Sequence, residues 1–221
     1  MINIFKPCDF HVHLREGDLA KYVLAENSKG EEKIELLQSI ISSDIIRNNS
    51  HCHSYILTPQ GKILFELQVF INKNNIELIC TNDQSDLFSF LNNFVKLSEV
   101  SIKKIFTKKS EYGFEYFIKN LEKGRIDSNF IRHSTLFPSE VHEEYIDYKK
   151  GCFIGQEVVS RIKHRSLKKN SIFIFRKNED FELSRINDLK IILDIDRYLI
   201  LRVPTKINLK ILTKKYKLTK V

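Results

Sequence analysis

The chain has 221 residues, enough for one large domain or one domain with a small second one. With 42% hydrophobic and 11% aromatic residues it can bury a core, and its net charge of +8 invites a nucleic-acid reading. Lysines outnumber arginines 26 to 10, and six of the lysines fall with no acid in Thr205–Val221, leaving a net +2 elsewhere, so functional nucleic-acid binding is not expected.

No apolar run reaches membrane-spanning length; the strongest, Ile63–Ile71, is interrupted by Glu66 and Gln68. No basic region followed by an apolar block opens the chain, so neither a signal peptide nor a membrane partner is expected. Cys8, Cys52, Cys80 and Cys152 match no zinc, iron–sulfur or disulfide spacing, which points to a reducing, cytoplasmic compartment. There is no Walker loop, no Gly-x-Ser-x-Gly and no metal-ligand quartet.

Residues 1–21 read as an N-terminal extension. Phe5–Leu24, FKPCDFHVHLREGDLAKYVL, resembles the opening of a dihydroorotase, and strand alternation places His11 and His13 on one face. The chain is too short for the (β/α)₈ barrel that such an enzyme needs, so no metal site is expected.

The main domain begins near Tyr22. A strand over Tyr22–Asn27 leads through Gly30 into a helix over Glu31–Ser42, with Ile34, Leu37, Ile40 and Ile41 on its apolar face. His51–Phe70 reads as a hairpin about Thr58-Pro59-Gln60-Gly61. Period two sets His51, His53 and Tyr55 on one face and Cys52 on the other, so His-Cys-His is no ligand cluster. A strand over Ile76–Thr81 precedes a helix over Asp83–Leu97, N-capped by Asn82 or Asp83. A strand over Ser98–Phe106 and a helix over Glu111–Lys123, with Gly124 as C-cap, follow. Strands are then expected at Ser171–Arg176, Lys190–Asp194 and Arg197–Val203, with a turn at Asp194-Ile195-Asp196 and a lysine-rich tail to the end. The fold class is α+β.

The densest chemistry lies in Lys149–Arg165, KKGCFIGQEVVSRIKHR. Gly151 and Gly155 bracket Cys152-Phe153-Ile154, and Gln156 onward has helical spacing, with Glu157, Arg161 and Arg165 as an i, i+4, i+8 row. Cys152 thus sits before a helix N-terminus with Lys149 and Lys150 beside it, both of which favour a thiolate.

KGCFIGQEVVSR resembles the signature of the YgfZ-type folate-binding proteins, relatives of the glycine-cleavage aminomethyltransferase (T-protein). GEEKIELLQSIISSDI, LTPQGKILFEL, Asn120–Gly124 and Leu136–Glu140 resemble further family segments, and together they span Tyr22–Arg165. The resemblance implies a T-protein-like folate-binding fold over 22–165 and a small C-terminal domain, 166–221, that is a reduced β-barrel. It implies tetrahydrofolate in a cavity between the sheet halves, with Cys152 as the functional residue at its rim. Glu122 stands where T-proteins place a glutamate on the pterin, a job suited to a carboxylate facing two N–H groups. Glu66 stands at or beside the catalytic aspartate. It is one methylene longer, and a displacement of about 1 Å can cost on the order of a hundredfold in rate. Lys150 would raise the thiolate population, and Gly151, Phe153, Gly155, Gln156, Glu157 and Arg161 would shape the loop and the folate site.

The function this implies is support of iron–sulfur protein assembly or repair, with iron–sulfur assembly or client proteins as partners and no classical enzymatic turnover. The alternatives are a folate-dependent aminomethyl or methyl transferase, favoured by Glu66 and Glu122, and a basic nucleic-acid-associated module.

Overall fold

The computed structural model describes residues 19–26, 32–48, 50–73, 75–81, 86–96, 100–106, 114–126, 136–186 and 188–221. His11 and His13 lie outside them, as do the expected N-caps Asn82 and Asp83. Five antiparallel strands form the first sheet: β1 (Leu19–Glu26), β2 (His51–Leu57), β3 (Ile63–Ile71), β4 (Asn75–Thr81) and β5 (Val100–Phe106), in the order β2-β3-β4-β1-β5. Strand β1 starts three residues before Tyr22: Leu19 is in register with Thr81, and Lys21 with Ile79 and Ile105. The end of the expected N-terminal extension is therefore part of this sheet.

Side chains alternate across the sheet and split its packing in two. Ile56, Phe65, Leu67, Val69, Ile76 and Leu78 are buried on one face. Against them lie Leu37 and Ile40 of helix α1 (Glu32–Ile40) and Leu87 and Leu91 of helix α2 (Asp86–Val95). Tyr55, Leu57 and Ile63 belong to a second, middle core on the other face. Leu121 of helix α3 (Phe114–Glu122), Leu136, Ile146, Phe153 and Val159 of helix α4 (Gln156–His164) complete that core from one side.

The opposite wall of the middle core is a second antiparallel sheet of β6 (Asn170–Lys177), β7 (Lys190–Ile195), β8 (Tyr198–Pro204) and β9 (Leu218–Lys220), in the order β7-β8-β6-β9. Ile172, Ile174, Ile195, Tyr198 and Ile200 face inward. Phe175, Leu199, Leu201 and Val203 face a third core, closed by Leu212 and Tyr216 of helix α5 (Leu209–Tyr216). This sheet is open, with β7 and β9 as its edges, so the barrel-like expectation is corrected. The lysine-rich end is not a loose tail either. Asn208 N-caps α5 through its side chain, and Leu212, Tyr216 and Leu218 are buried, which fixes the lysines on the outer side.

Two contacts hold the segment around Cys152 in place. The first is backbone against backbone. Gly61, at the end of the β2–β3 turn, and Gly155, before α4, have φ of +74° and +80°. A Cβ on Gly155 would lie 2.5 Å from the Thr58 carbonyl oxygen and 3.2 Å from Gly61 Cα; one on Gly61 would lie 3.0 Å from Val158 Cβ. Only glycine supplies both the left-handed conformation and the room.

The second contact is Lys150, which is 7% exposed. Its ammonium donates to the carbonyls of Gln38 at 2.6 Å, Ile41 at 2.6 Å and Ser43 at 3.1 Å, at and just beyond the C-terminus of α1. These are groups that a helix end leaves unbonded, and the helix dipole favours a cation there.

Gly155→Ala should lower stability by about 3 kcal/mol, combining a positive-φ penalty with a backbone clash. Gly151→Ala meets nothing within 4 Å of its new Cβ and should change stability by no more than about 0.5 kcal/mol in the same denaturant titration. Lys150→Met strands three carbonyls and should cost about 3 kcal/mol. Burial draws the Lys150 pKa down from 10.5 to about 8, outweighing Asp44 and Asp147, so between those two values the unfolded chain binds the extra proton. The contribution of Lys150 to stability should therefore rise with pH over that window, and the gap between wild type and Lys150→Met should widen. A gap that narrowed would show that the three carbonyl bonds outweigh burial.

Candidate functional site

Cys152 is exposed on the loop between Lys150 and Gly155. Its neighbours are buried: Phe153 is 7% exposed within the middle core, and the Lys150 ammonium lies 5.1 Å from the Phe153 ring centroid. The loop thus presents one side chain outward and anchors those on either side of the Cys152–Gly151 pair. Gln156 N donates to the Phe153 carbonyl at 3.2 Å as α4 begins, so the thiol does precede a helix N-terminus.

The expected supporting cast divides. The three donors of Lys150 go to α1 and the following turn. Lys149 is exposed, and its backbone N–H donates to Asp147 at 2.7 Å. Glu157 and Arg161 pair with each other at 2.5 Å on the outer face of α4, one turn apart, and both are solvent-exposed. The Gln156 side chain reaches the Lys150 carbonyl at 3.5 Å, so it braces the loop from inside. Gly151 is exposed with open space around it, and Gly155 has its place in the backbone contact already described.

Environment separates the thiols. Cys52 is half-buried on the helix side of the first sheet, and burial pushes its pKa up to about 11. Cys80 is buried in the same core. Among the described residues, Cys152 is the exposed thiol.

The two carboxylates proposed for folate lie on different elements, Glu66 on β3 and Glu122 at the end of α3. Glu66 is 6% exposed and lies directly across from Tyr55 in the β2–β3 ladder, so it shares the inner face of the first sheet with Tyr55, Gln68 and His53. Beside that face, Tyr145 is stacked between His53 at 5.0 Å and His142 at 4.9 Å. Burial lowers the His53 pKa, with His51, His142 and Arg125 acting in the same direction, which favours the neutral ring. Glu122 ends α3 and accepts from Arg197 Nη2 at 2.5 Å and from the Tyr198 hydroxyl at 3.3 Å. Both bonds fall on Oε1 and the side chain is 38% exposed, so Glu122 braces the β7–β8 turn through one oxygen at the surface.

Sequence reasoning missed the charge that joins the layers. Glu140, in Leu136-Phe137-Pro138-Ser139-Glu140, accepts from Arg202 Nε at 3.0 Å and Nη2 at 2.6 Å through one oxygen. Its other oxygen accepts from Phe137 N at 3.0 Å. The Phe-Pro-x-Glu pattern marked the residue, but nothing local to Arg202 named its partner.

No family model matches the chain, and no curated protein does. Among solved structures, the crystal structure of glycine cleavage system aminomethyltransferase T from Bartonella henselae is similar, with a TM-score of 0.58 at 12% sequence identity. The likeness covers 92% of this chain and 83% of that one, more than the Tyr22–Arg165 stretch over which sequence motifs are similar. At that identity the likeness establishes the fold: this chain has the fold of an aminomethyltransferase T.

Proposed function

We propose that this chain is a folate-binding protein that supports the assembly or repair of iron–sulfur proteins through Cys152. The observation that carries the reading is the Cys152 loop: one exposed thiol between a buried lysine and a buried phenylalanine, locked to the hairpin turn by two glycines. A soft thiolate is a ligand for iron and a nucleophile for exchange. One cysteine cannot hold a cluster alone, so the remaining ligands would come from an iron–sulfur assembly or client protein.

Tetrahydrofolate fits half of the expected ligand set. Glu66 is a buried carboxylate on a face with Gln68 and aromatic neighbours, chemistry suited to the aminopyrimidine edge of a pterin. Glu122, exposed and holding Arg197 and Tyr198 through one oxygen, is the weaker candidate. Glu66 is also longer than the aspartate used in aminomethyl transfer. Both points favour binding without turnover over the transferase alternative.

Calorimetric titration with tetrahydrofolate in reducing buffer should give saturable binding. Glu66→Gln should weaken it by roughly tenfold or more, the worth of a charged hydrogen-bond partner. Glu122→Gln should change it by less than about threefold, because that carboxylate serves Arg197. Cys152→Ser should bind folate like wild type yet fail to restore an iron–sulfur enzyme in cells lacking the protein. No binding at millimolar ligand would remove folate from the reading, and rescue by Cys152→Ser would remove the thiol.

A further inference from the structure

The folded carboxy-terminal segment presents a surface that neither the thiol nor the carboxylates use. On α5, Lys210, Ile211, Lys214 and Lys215 are all exposed. At 100° per residue they occupy a continuous arc of about 140°, with Ile211 between Lys214 and Lys215. Leu212 and Tyr216 on the other side are buried in the third core, so the helix cannot roll to hide Ile211. Ile211 is 66% exposed, more than the other large apolar side chains described, Ile46 and Leu167.

This surface continues beyond the helix. Thr205 N donates to the Lys169 carbonyl at 2.9 Å, and its hydroxyl lies 3.3 Å from the carbonyls of Lys168 and Lys169. That bond ties the approach to α5 to the exposed connection between α4 and β6, where Leu167 is 46% exposed and followed by Lys168 and Lys169. Lys215 and Lys217 are neutralised by Asp188 and Asp180 at the far end of the helix. Lys206, Lys210 and Lys214 have no ion pair among the described residues. Lys214 lines a cleft with Glu179 and Asp180, which offset part of its charge, so the unpaired lysines lead into the helix at Lys206 and Lys210.

We propose that this face is a peripheral docking surface for anionic phospholipid headgroups, with Ile211 entering the headgroup–acyl boundary and the lysines holding the phosphates. Fixed cations around an exposed aliphatic side chain match a surface that is negative outside and apolar just beneath. A single-stranded nucleic acid fits less well. Its bases need planar side chains to stack on, and the exposed large apolar residues here are branched aliphatics. No helix among the described residues is long and apolar enough to cross a membrane, and a peripheral contact needs none.

The test is co-sedimentation of the full chain with vesicles of phosphatidylcholine alone and of phosphatidylcholine with phosphatidylglycerol. Binding is expected to the anionic vesicles only, and to be lost near 1 M salt, where the Debye length is about 3 Å. The double variant Lys210→Glu, Lys214→Glu should lower partitioning by roughly tenfold or more. Ile211→Ser, with charge unchanged, should lower it by roughly fourfold, the worth of about one methylene. All altered positions are exposed, and thermal melts of the variants should match wild type. Absence of binding to anionic vesicles overturns the proposal, as does binding that ignores Ile211→Ser. Salt-sensitive binding to an RNA homopolymer or to an acidic protein, with none to vesicles, overturns it and assigns the face to that polyanion.

Discussion

The site depends on two stretches of backbone lying closer together than side chains allow. Gly155 is set against the Thr58 carbonyl and Gly61, while Gly61 is set against Val158 and Val159. Gly155 makes room for the backbone of the turn and Gly61 for the valine side chains of α4, and each is in the left-handed region. The Pro-Gln-Gly turn and the Cys152 loop are nearly a hundred residues apart in sequence, yet neither has an independent position. The turn ends the strand pair that carries Glu66; the loop carries Cys152. Any ligand on the inner face of the first sheet is thereby placed relative to the thiol by rigid backbone, which holds geometry better than long side chains do.

Around this contact, buried charges join layers that apolar packing alone would let slide. Lys150 ties the Cys152 loop to the end of α1, and Glu140 ties the preceding segment to Arg202 on the second sheet. Apolar cores are tolerant of small shifts, since contact area changes little when one face slips over another. A buried ammonium with three carbonyls is not tolerant: a slip of about 1 Å loses hydrogen bonds whose desolvation cost remains. The charges therefore contribute specificity of arrangement more than net stability. They also give the motif lysine a structural place, on the carbonyls at the end of α1.

Much of this arrangement was legible in the chain, and the reason is local. The hairpin His51–Phe70, the helix after Gly155 and the Gly124 C-cap all follow from turn chemistry and periodicity, which act over a few residues. The alternation of Cys52 against His51 and His53 was legible for the same reason, and it separates an inert thiol from an aromatic wall. What could not be read was pairing at long range. Nothing near Lys150 announces carbonyls more than a hundred residues earlier, and nothing near Glu122 announces Arg197. Helix α5 was missed for another reason. Six lysines dominate the composition of its segment and mask Leu209, Leu212 and Tyr216, whose spacing is that of a short amphipathic helix. The barrel expectation came from the family resemblance, and the open sheet with α5 across its outer face stands in its place.

The commitment of Glu122 bears on what a fold of this kind can do here. In an aminomethyl transfer, ligand and reacting groups must be held on both sides at once, because a loosely held pterin forfeits the gain from orientation. Glu66 is buried on the first sheet, and Glu122 contacts the β7–β8 turn through Arg197 and Tyr198 on one oxygen. Freeing it would leave the Arg197 guanidinium without that partner and the inward-facing Tyr198 hydroxyl without its acceptor. Under the proposed reading Glu66 alone would hold the pterin, and a pterin held from one side is less firmly oriented for group transfer. Cys152 is exposed on a loop locked to the hairpin turn, and a shared fold by itself assigns that thiol no chemistry.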